Sequence, residues 1–232
     1  GRISHGFQWL DPARRGEATA YFAPHTGIGR ALSRPSPHPR RIGVVGLGAG
    51  TLAAYGRPGE VIRFYEINPA VVHVARAHFS FLSDSPADVY VVLGDGRMSL
   101  AAEPPQGFDV LALDAFSGDA IPTHLITREA VALYLGHLRP DGVLAVNVSN
   151  RHADLTRVVR QHAADFGLAQ AFVSARSKSP LGPYTSHWML LSRDPAVLAD
   201  PAIATGTRPP PRAERAPVRW TDDHAPVWAV LR

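Results

Sequence analysis

Short apolar runs alternate with stretches of helical spacing through the middle of the chain. Each run is about five residues long and ends in glycine or a polar residue. This alternation predicts a mostly parallel sheet with right-handed helical crossovers. The last two runs are expected to form an antiparallel hairpin at one edge of the sheet. The predicted strands are 42–45, 61–66, 89–93, 108–113, 143–148, 169–175 and 187–192.

Cap signals and apolar spacing predict the helices between these strands. Pro69 suits the first turn of a helix that runs to about His78. Thr127 caps a helix that ends near Leu138, and Gly167 ends the next one. The predicted helices are 69–78, 98–102, 127–138 and 153–166. Strands and helices in this order predict a doubly wound α/β fold.

Both ends of the chain lack the alternation. Two short extended pieces and a proline-rich linker precede the first strand and predict a small β appendage. A stretch rich in proline and arginine follows the last strand, and two tryptophans near its end suggest that this end docks on the body. We therefore predict three parts: an N-terminal β appendage and linker at 1–39, a nucleoside-binding domain at 40–194, and an extension with a docking segment at 195–232.

The first strand runs into a glycine turn, Gly46 to Gly50, and the second strand ends in Glu66. Glycines let the backbone approach a ligand closely, and an acid at this distance can accept ribose hydroxyls. The dinucleotide spacing GxGxxG is not met, because its third glycine would fall on Thr51. The spacing GxGxG is typical of the class I S-adenosylmethionine-dependent methyltransferase (Rossmann-like) fold. By itself, such a turn can also serve only to join strand and helix tightly.

Polar residues end each of the next strands. Glu66, Asp95 and Asp114 follow three successive strands, and the fifth strand ends at 147–150. Ligands of parallel sheets bind at the carboxyl ends of the strands, so these acids predict a nucleoside pocket. A helix N-cap would explain any one of them. Asp95, between Gly94 and Gly96, can accept the exocyclic amine of adenine.

Two carboxylates lie near the expected reactive end of such a ligand. Asp114 can hold a cationic amine or deprotonate an amine that attacks carbon, and it can stabilise a sulfonium. Asp119 lies in the loop that follows. It is either a second cation contact or an ordinary loop carboxylate.

Composition narrows the possible chemistry. The chain has 232 residues, no cysteine and no apolar run near the ~18–20 residues of a membrane helix. Thiolate sites and disulfides are therefore excluded, and the eleven histidines form no metal motif, so we expect no metal. The net charge of +4 comes almost wholly from dispersed arginines. This pattern favours a solvated surface over a nucleic-acid interface.

Several stretches resemble the spermidine synthase (polyamine aminopropyltransferase) superfamily, and most closely its branch fused behind a membrane segment. They are HGFQWLDPARRGEATAYF, GLGAGTLAAYGRPGEVIRFYEINP, LGDGR, FDVLALDAFSGDAIPTHLITREAVALYLGHLRPDGVLAVNVSN and WTDDHAPVW. The resemblance implies a cytoplasmic homodimer with an N-terminal membrane segment in a longer protein. Its ligands would be a polyamine and the nucleoside of S-adenosylmethionine, its decarboxylated form or methylthioadenosine. The implied nucleoside contacts are Gln8, Gly46, Gly48, Gly50, Glu66, Asp95, Gly96 and Asp114, and the implied catalytic residues are Asp114, Asp119 and Tyr21.

The chain departs from this family at two carboxylates. The family motif GGGDGG places an aspartate where this chain has Ala49, and that aspartate binds the ammonium of the aminopropyl group. The family's second loop acid falls on Ser117. An unpaired ammonium at a partly buried site is costly. Three functions therefore remain open: an aminopropyltransferase-like enzyme that uses a polyamine or reacts without an acceptor, a methyltransferase, and a non-catalytic sensor of nucleosides or polyamines.

Overall fold

One mixed sheet organises the protein. The computed structural model describes residues 6–115, 122–177 and 184–232. Within these residues the strands are β1 (Arg41–Val45), β2 (Val61–Glu66), β3 (Asp88–Leu93), β4 (Phe108–Leu113), β5 (Leu138–Asn147), β6 (Ala169–Ser177), β7 (Tyr184–Ser192) and β8 (Thr207–Arg208). Their order across the sheet is β3-β2-β1-β4-β5-β7-β6-β8.

Strands β1 to β5 are parallel, and β7 pairs antiparallel with both β5 and β6. The predicted antiparallel hairpin of β6 and β7 is confirmed, but it is not the edge of the sheet, because the two-residue strand β8 pairs with β6 beyond it. The chain reverses its direction of progress across the sheet between β1 and β4, which is where doubly wound folds bind ligands. The predicted Rossmann-like fold of the class I methyltransferase type is confirmed.

Helices cover both faces of this sheet. They are α1 (Gly27–Ser33), α2 (Pro69–His78), α3 (Phe81–Asp84), α4 (Gly96–Ala102), α5 (Arg128–His137), α6 (Thr156–Asp165), α7 (Pro195–Ala199) and α8 (Pro201–Ala204). The predicted cap Thr127 accepts from the Ala130 N–H, and the Asn68 side chain caps α2 by accepting from the Ala70 N–H. No helix in the described part of the chain is long and apolar enough to cross a membrane.

Two apolar cores lie on opposite faces of the sheet. Alternate strand residues divide between them: Val44 and Phe64 point into one core, and Val45 and Tyr65 into the other. Both terminal segments contribute side chains. Leu32 belongs to the first core and Trp220 to the second, and each is fully buried. The predicted N-terminal and C-terminal parts therefore pack into the same two apolar cores as the central part of the chain.

The predicted β appendage is wrong for the described residues 6–39, which contain no strand. Residues Ala20–Phe22 form a 3-10 turn, and helix α1 follows it. The Thr26 side chain accepts from the Gly29 N–H and caps α1, whose buried face packs on β7. A Cβ atom on Gly27 would lie 2.4 Å from the Cβ of Trp188. Glycine at this position therefore permits helix α1 to pack closely on β7. The sequence pattern, which predicted short extended pieces here, did not indicate this contact.

Candidate active site

The predicted site residues converge at one edge of the sheet. Because β1 to β4 are parallel, their carboxyl ends lie side by side. This arrangement brings the turn 46–50, Glu66, Asp95 and Asp114 to the same edge. Asp119 lies outside the described residues.

The glycine turn runs directly against the end of β4. Gly46, Gly48 and Gly50 all have positive φ angles, of 99°, 55° and 80°. A Cβ atom on Gly46 would lie 2.5 Å from the carbonyl oxygen of Asp114. Left-handed backbone at these positions favours glycine. The turn therefore places its backbone beside Asp114.

Glu66 is almost fully buried and supports this turn. One carboxylate oxygen accepts a 3.0 Å hydrogen bond from the Leu47 N–H, and the other accepts a 2.9 Å bond from the Asn68 N–H. A carboxylate has about four acceptor positions. Glu66 can therefore hold the turn and still accept from ribose hydroxyls.

Asp95 is the N-cap of α4. Its Oδ1 accepts from the Met98 N–H at 2.9 Å, and its Oδ2 lies 2.9 Å from His124 Nε2. Desolvation by burial raises the pKa of Asp95, but the hydrogen bonds from Met98 and His124 outweigh it, so the pKa is lowered overall. The carboxylate is thus ionised at neutral pH and suited to accept a hydrogen bond from an amine. Its neighbour Gly96 lies against Val45, since a Cβ there would be 2.5 Å from Val45 Cγ1.

His124 is a site residue that the sequence analysis missed. It lies in a 3-10 turn, Thr123–Leu125, and its side chain is about half exposed. It lies 29 residues after Asp95 within a stretch that resembles the family, but no pattern in that stretch marks it as a site residue, so only the fold brings the two together.

The carboxyl group of Asp114 is held by two polar side chains. Asn147 at the end of β5 donates to Oδ1 at 2.6 Å, and the Tyr21 hydroxyl donates a second hydrogen bond. The residue keeps some exposed surface, whereas its carboxyl group lies deep. Burial raises the pKa of Asp114 to about 7, although both hydrogen bonds oppose the rise. A carboxyl group with this pKa can take up and release a proton near neutral pH.

The two N-terminal residues of the predicted site have different surroundings. Tyr21 hydrogen-bonds to Asp114 and so lies beside the predicted site. Gln8 instead binds Ser80: its Nε2 donates to the Ser80 hydroxyl at 2.8 Å, and its Oε1 accepts from the Ser80 N–H at 2.9 Å. Gly6 crosses the glycine turn, since a Cβ on it would lie 3.4 Å from the Cβ of Ala49. Gln8 therefore fastens the N-terminal segment to the start of α3.

Three exposed apolar side chains flank Glu66 and Asp95. Ile67, Leu93 and Met98 are 67%, 58% and 68% exposed. Strand pairing sets Glu66 opposite Leu93, which places Ile67 and Asp95 beyond adjacent strand ends. Clustered exposed apolar groups are informative because isolated ones are common. These side chains offer exposed apolar surface for a flat base, which no sequence pattern predicted.

The raised pKa of Asp114 predicts a pH-dependent cost to stability. Its pKa rises from 3.8 to about 7 on folding, so the folded state binds a proton more tightly than the unfolded state. The stability from this linkage is fully present below pH 3.8 and is lost as pH rises through 7. Asp114→Asn removes this cost. We therefore expect its free energy of unfolding, relative to that of wild type, to rise by on the order of 2 kcal/mol from pH 5 to pH 8. Calorimetric unfolding at both pH values measures this, and a constant difference would contradict it.

No group of three or more histidine, aspartate or glutamate side chains in the described ranges could hold a metal ion.

Curated relatives include polyamine aminopropyltransferases, although no protein-family model matches the chain. The Polyamine aminopropyltransferase of Vibrio vulnificus is 35% identical over 117 residues, which are 48% of this chain and 38% of the relative. The Probable polyamine aminopropyl transferase of Bifidobacterium longum is 29% identical over 155 residues, which are 66% of this chain and 33% of the relative. The chain thus spans only about a third of the length of these relatives.

Solved structures share the fold. The spermidine synthase of Thermotoga maritima has a TM-score of 0.56 at 17% identity, covering 84% of this chain and 65% of its own. Human Methyltransferase-like protein 13 in complex with SAH also has a TM-score of 0.56, at 24% identity, covering 84% of this chain and 93% of its own. The chain is therefore similar in sequence to polyamine aminopropyltransferases and similar in fold to a spermidine synthase, which supports its resemblance to the spermidine synthase-like superfamily.

Proposed function

We propose that the protein is an aminopropyltransferase-like enzyme that binds an adenosyl-sulfonium and releases methylthioadenosine. The observation that carries this proposal is Asp114. Its carboxyl group has a pKa of about 7, is held by Asn147 and Tyr21, and lies beside the glycine turn. Perturbed carboxyl groups of this kind are suited to proton transfer near neutral pH. The relatives named polyamine aminopropyltransferase support the same reaction class.

The proposed chemistry is a displacement at carbon. The nitrogen of a neutral amine attacks the methylene carbon beside the sulfonium, and the carbon–sulfur bond breaks with its electron pair going to sulfur. The products are methylthioadenosine and an alkylated ammonium, whose extra proton passes to the Asp114 carboxylate. A cationic ligand beside Asp114 lowers the pKa of its carboxyl group and so favours the base form that this step needs.

Three other residues would hold the nucleoside. Glu66 would accept from the ribose hydroxyls with the positions left free by Leu47 and Asn68. Asp95 would accept from the adenine amine, and the exposed side chain of Ile67 would pack on the base.

Ala49 affects which adenosyl-sulfonium the site can bind. It is buried, and Gly6 lies against it where the family motif places an aspartate. Without that carboxylate, an aminopropyl ammonium would lose its ion pair at this position. The proposal therefore includes S-adenosylmethionine as well as its decarboxylated form, and a lyase-like reaction without acceptor as well as transfer to a polyamine. From the resemblance we also propose a cytoplasmic homodimer.

A methyltransferase is the second candidate, because a solved methyltransferase shares this fold. Methyl transfer on this fold needs only that a different carbon of the sulfonium face the acceptor. Its product would be S-adenosylhomocysteine, so product identity separates the two candidates.

Mass spectrometry of the products tests the proposal. The protein is incubated with S-adenosylmethionine or its decarboxylated form, each with and without putrescine or spermidine. We expect methylthioadenosine, together with a longer polyamine if the acceptor is used. Asp114→Asn protein prepared in the same way controls for contaminating enzymes. S-adenosylhomocysteine would establish the methyltransferase instead, and tight nucleoside binding without any product would indicate a sensor.

A further inference from the structure

The C-terminal residues 220–224 dock beside the proposed nucleoside site. Trp220 is fully buried, and its carbonyl oxygen accepts from the Arg128 N–H at the start of α5. The Asp222 N–H donates to the Glu129 carboxylate at 2.9 Å. The segment therefore lies against the first turn of α5, which directly follows the turn that carries His124.

Asp222 binds Arg97 through two hydrogen bonds. The two guanidinium nitrogens lie 2.7 and 2.6 Å from the two carboxylate oxygens, and the Thr127 hydroxyl donates to Oδ1 at 2.7 Å. The hydrogen bonds from Arg97 and Thr127 lower the pKa of Asp222 to about 2. Paired donors of this kind fix orientation as well as distance.

Arg97 connects this contact to the proposed adenine site. It lies two residues after Asp95, in the first turn of α4. Its Nη1 also donates to the His124 carbonyl oxygen at 2.9 Å, while the His124 side chain lies 2.9 Å from Asp95. One guanidinium thus binds the backbone of His124 and belongs to the same turn as Asp95.

We propose that Asp222 is a positioning residue for the nucleoside site, acting through Arg97 on Asp95 and His124. The inference rests on the proposed function, in which Asp95 accepts from the adenine amine. Without Asp222, Arg97 loses the partner that fixes its guanidinium plane, and the His124 turn and α4 lose their common support. In the intact protein, the C-terminal segment therefore contributes to recognition of the base as well as covering the core.

Binding of two nucleosides tests this role. Isothermal titration calorimetry measures the dissociation constants of methylthioadenosine and methylthioinosine, which has an oxygen in place of the 6-amino group. We expect Asp222→Asn to weaken methylthioadenosine binding about tenfold and to reduce its preference over methylthioinosine by a similar factor. Loss of packing alone would weaken both ligands equally and leave the preference unchanged.

Arg219→Gln is the matched control. Arg219 immediately precedes the segment 220–224 and forms an ion pair with Asp165 rather than with Arg97 or its partners. We expect this variant to bind both nucleosides as wild type does. Arg97→Lys, which keeps the charge but removes the paired geometry, is a second test that does not depend on the folding of Asp222→Asn, and we expect it to reduce the preference too.

Two outcomes would overturn the inference. Unchanged preference in both Asp222→Asn and Arg97→Lys would show that the contact only docks the chain end. A wild type that binds neither nucleoside would contradict the proposed function itself, and this result is visible before any variant is compared.

Discussion

Asp114→Asn is expected to lower the rate of methylthioadenosine release by a factor of about 10²–10⁴, the usual contribution of a general base. Asparagine has nearly the same shape, and its carbonyl oxygen can still accept from Asn147. It cannot take a proton from the attacking amine or attract a cation. Release in a single turnover, measured by chromatography, gives the rate.

Asp109→Asn is a control for the loss of a buried carboxylate. Asp109 lies near the amino end of the same strand, β4, and its carboxylate contacts His38 and the Arg41 N–H. Since this contact is at the far end of the strand, the folded variant should keep the wild-type rate even if it unfolds at a lower temperature. Release at the wild-type rate by Asp114→Asn would remove Asp114 from the mechanism.

Gly46→Ala is expected to lose nucleoside binding by more than about tenfold and to lower the free energy of unfolding by about 1–3 kcal/mol. The added Cβ would lie 2.5 Å from the carbonyl oxygen and 2.9 Å from the carbonyl carbon of Asp114. Both atoms are backbone, so the turn must move away from the end of β4. The positive φ angle of Gly46 adds strain. Calorimetric titration and thermal unfolding measure the two effects.

Substitutions at two other glycines distinguish the effect of collision from the effect of backbone strain. Gly107 also has a positive φ angle, of 64°, but a Cβ there meets nothing within 4 Å, so Gly107→Ala carries strain without collision. Gly136 lies in α5 with open space around it, and Gly136→Ala should be neutral or stabilising. We expect both controls to bind nucleoside normally. Unchanged affinity in Gly46→Ala would show that the turn is not part of the site.

Local signals were sufficient for the sheet and for the residues at its strand ends. Apolar runs predict strands, and parallel connections require their carboxyl ends to meet, so Glu66, Asp95 and Asp114 could be placed together from the sequence. The strands expected in the N-terminal segment were wrong because the helix that forms there depends on a close approach to β7 at Gly27. Short extended patterns do not distinguish a strand from a helix that is stabilised by such contacts.

Periodicity, capping and glycine spacing by themselves determined the doubly wound fold and the edge of the sheet that carries the polar residues. Only the tertiary structure decided which side chains meet there. Tyr21 reaches Asp114 across 93 positions of the chain, and Asp222 reaches Arg97 across 125. Local patterns reflect backbone preferences and burial, whereas these contacts depend on how distant segments pack. The pKa of Asp114 has the same origin, because burial by the folded protein sets it.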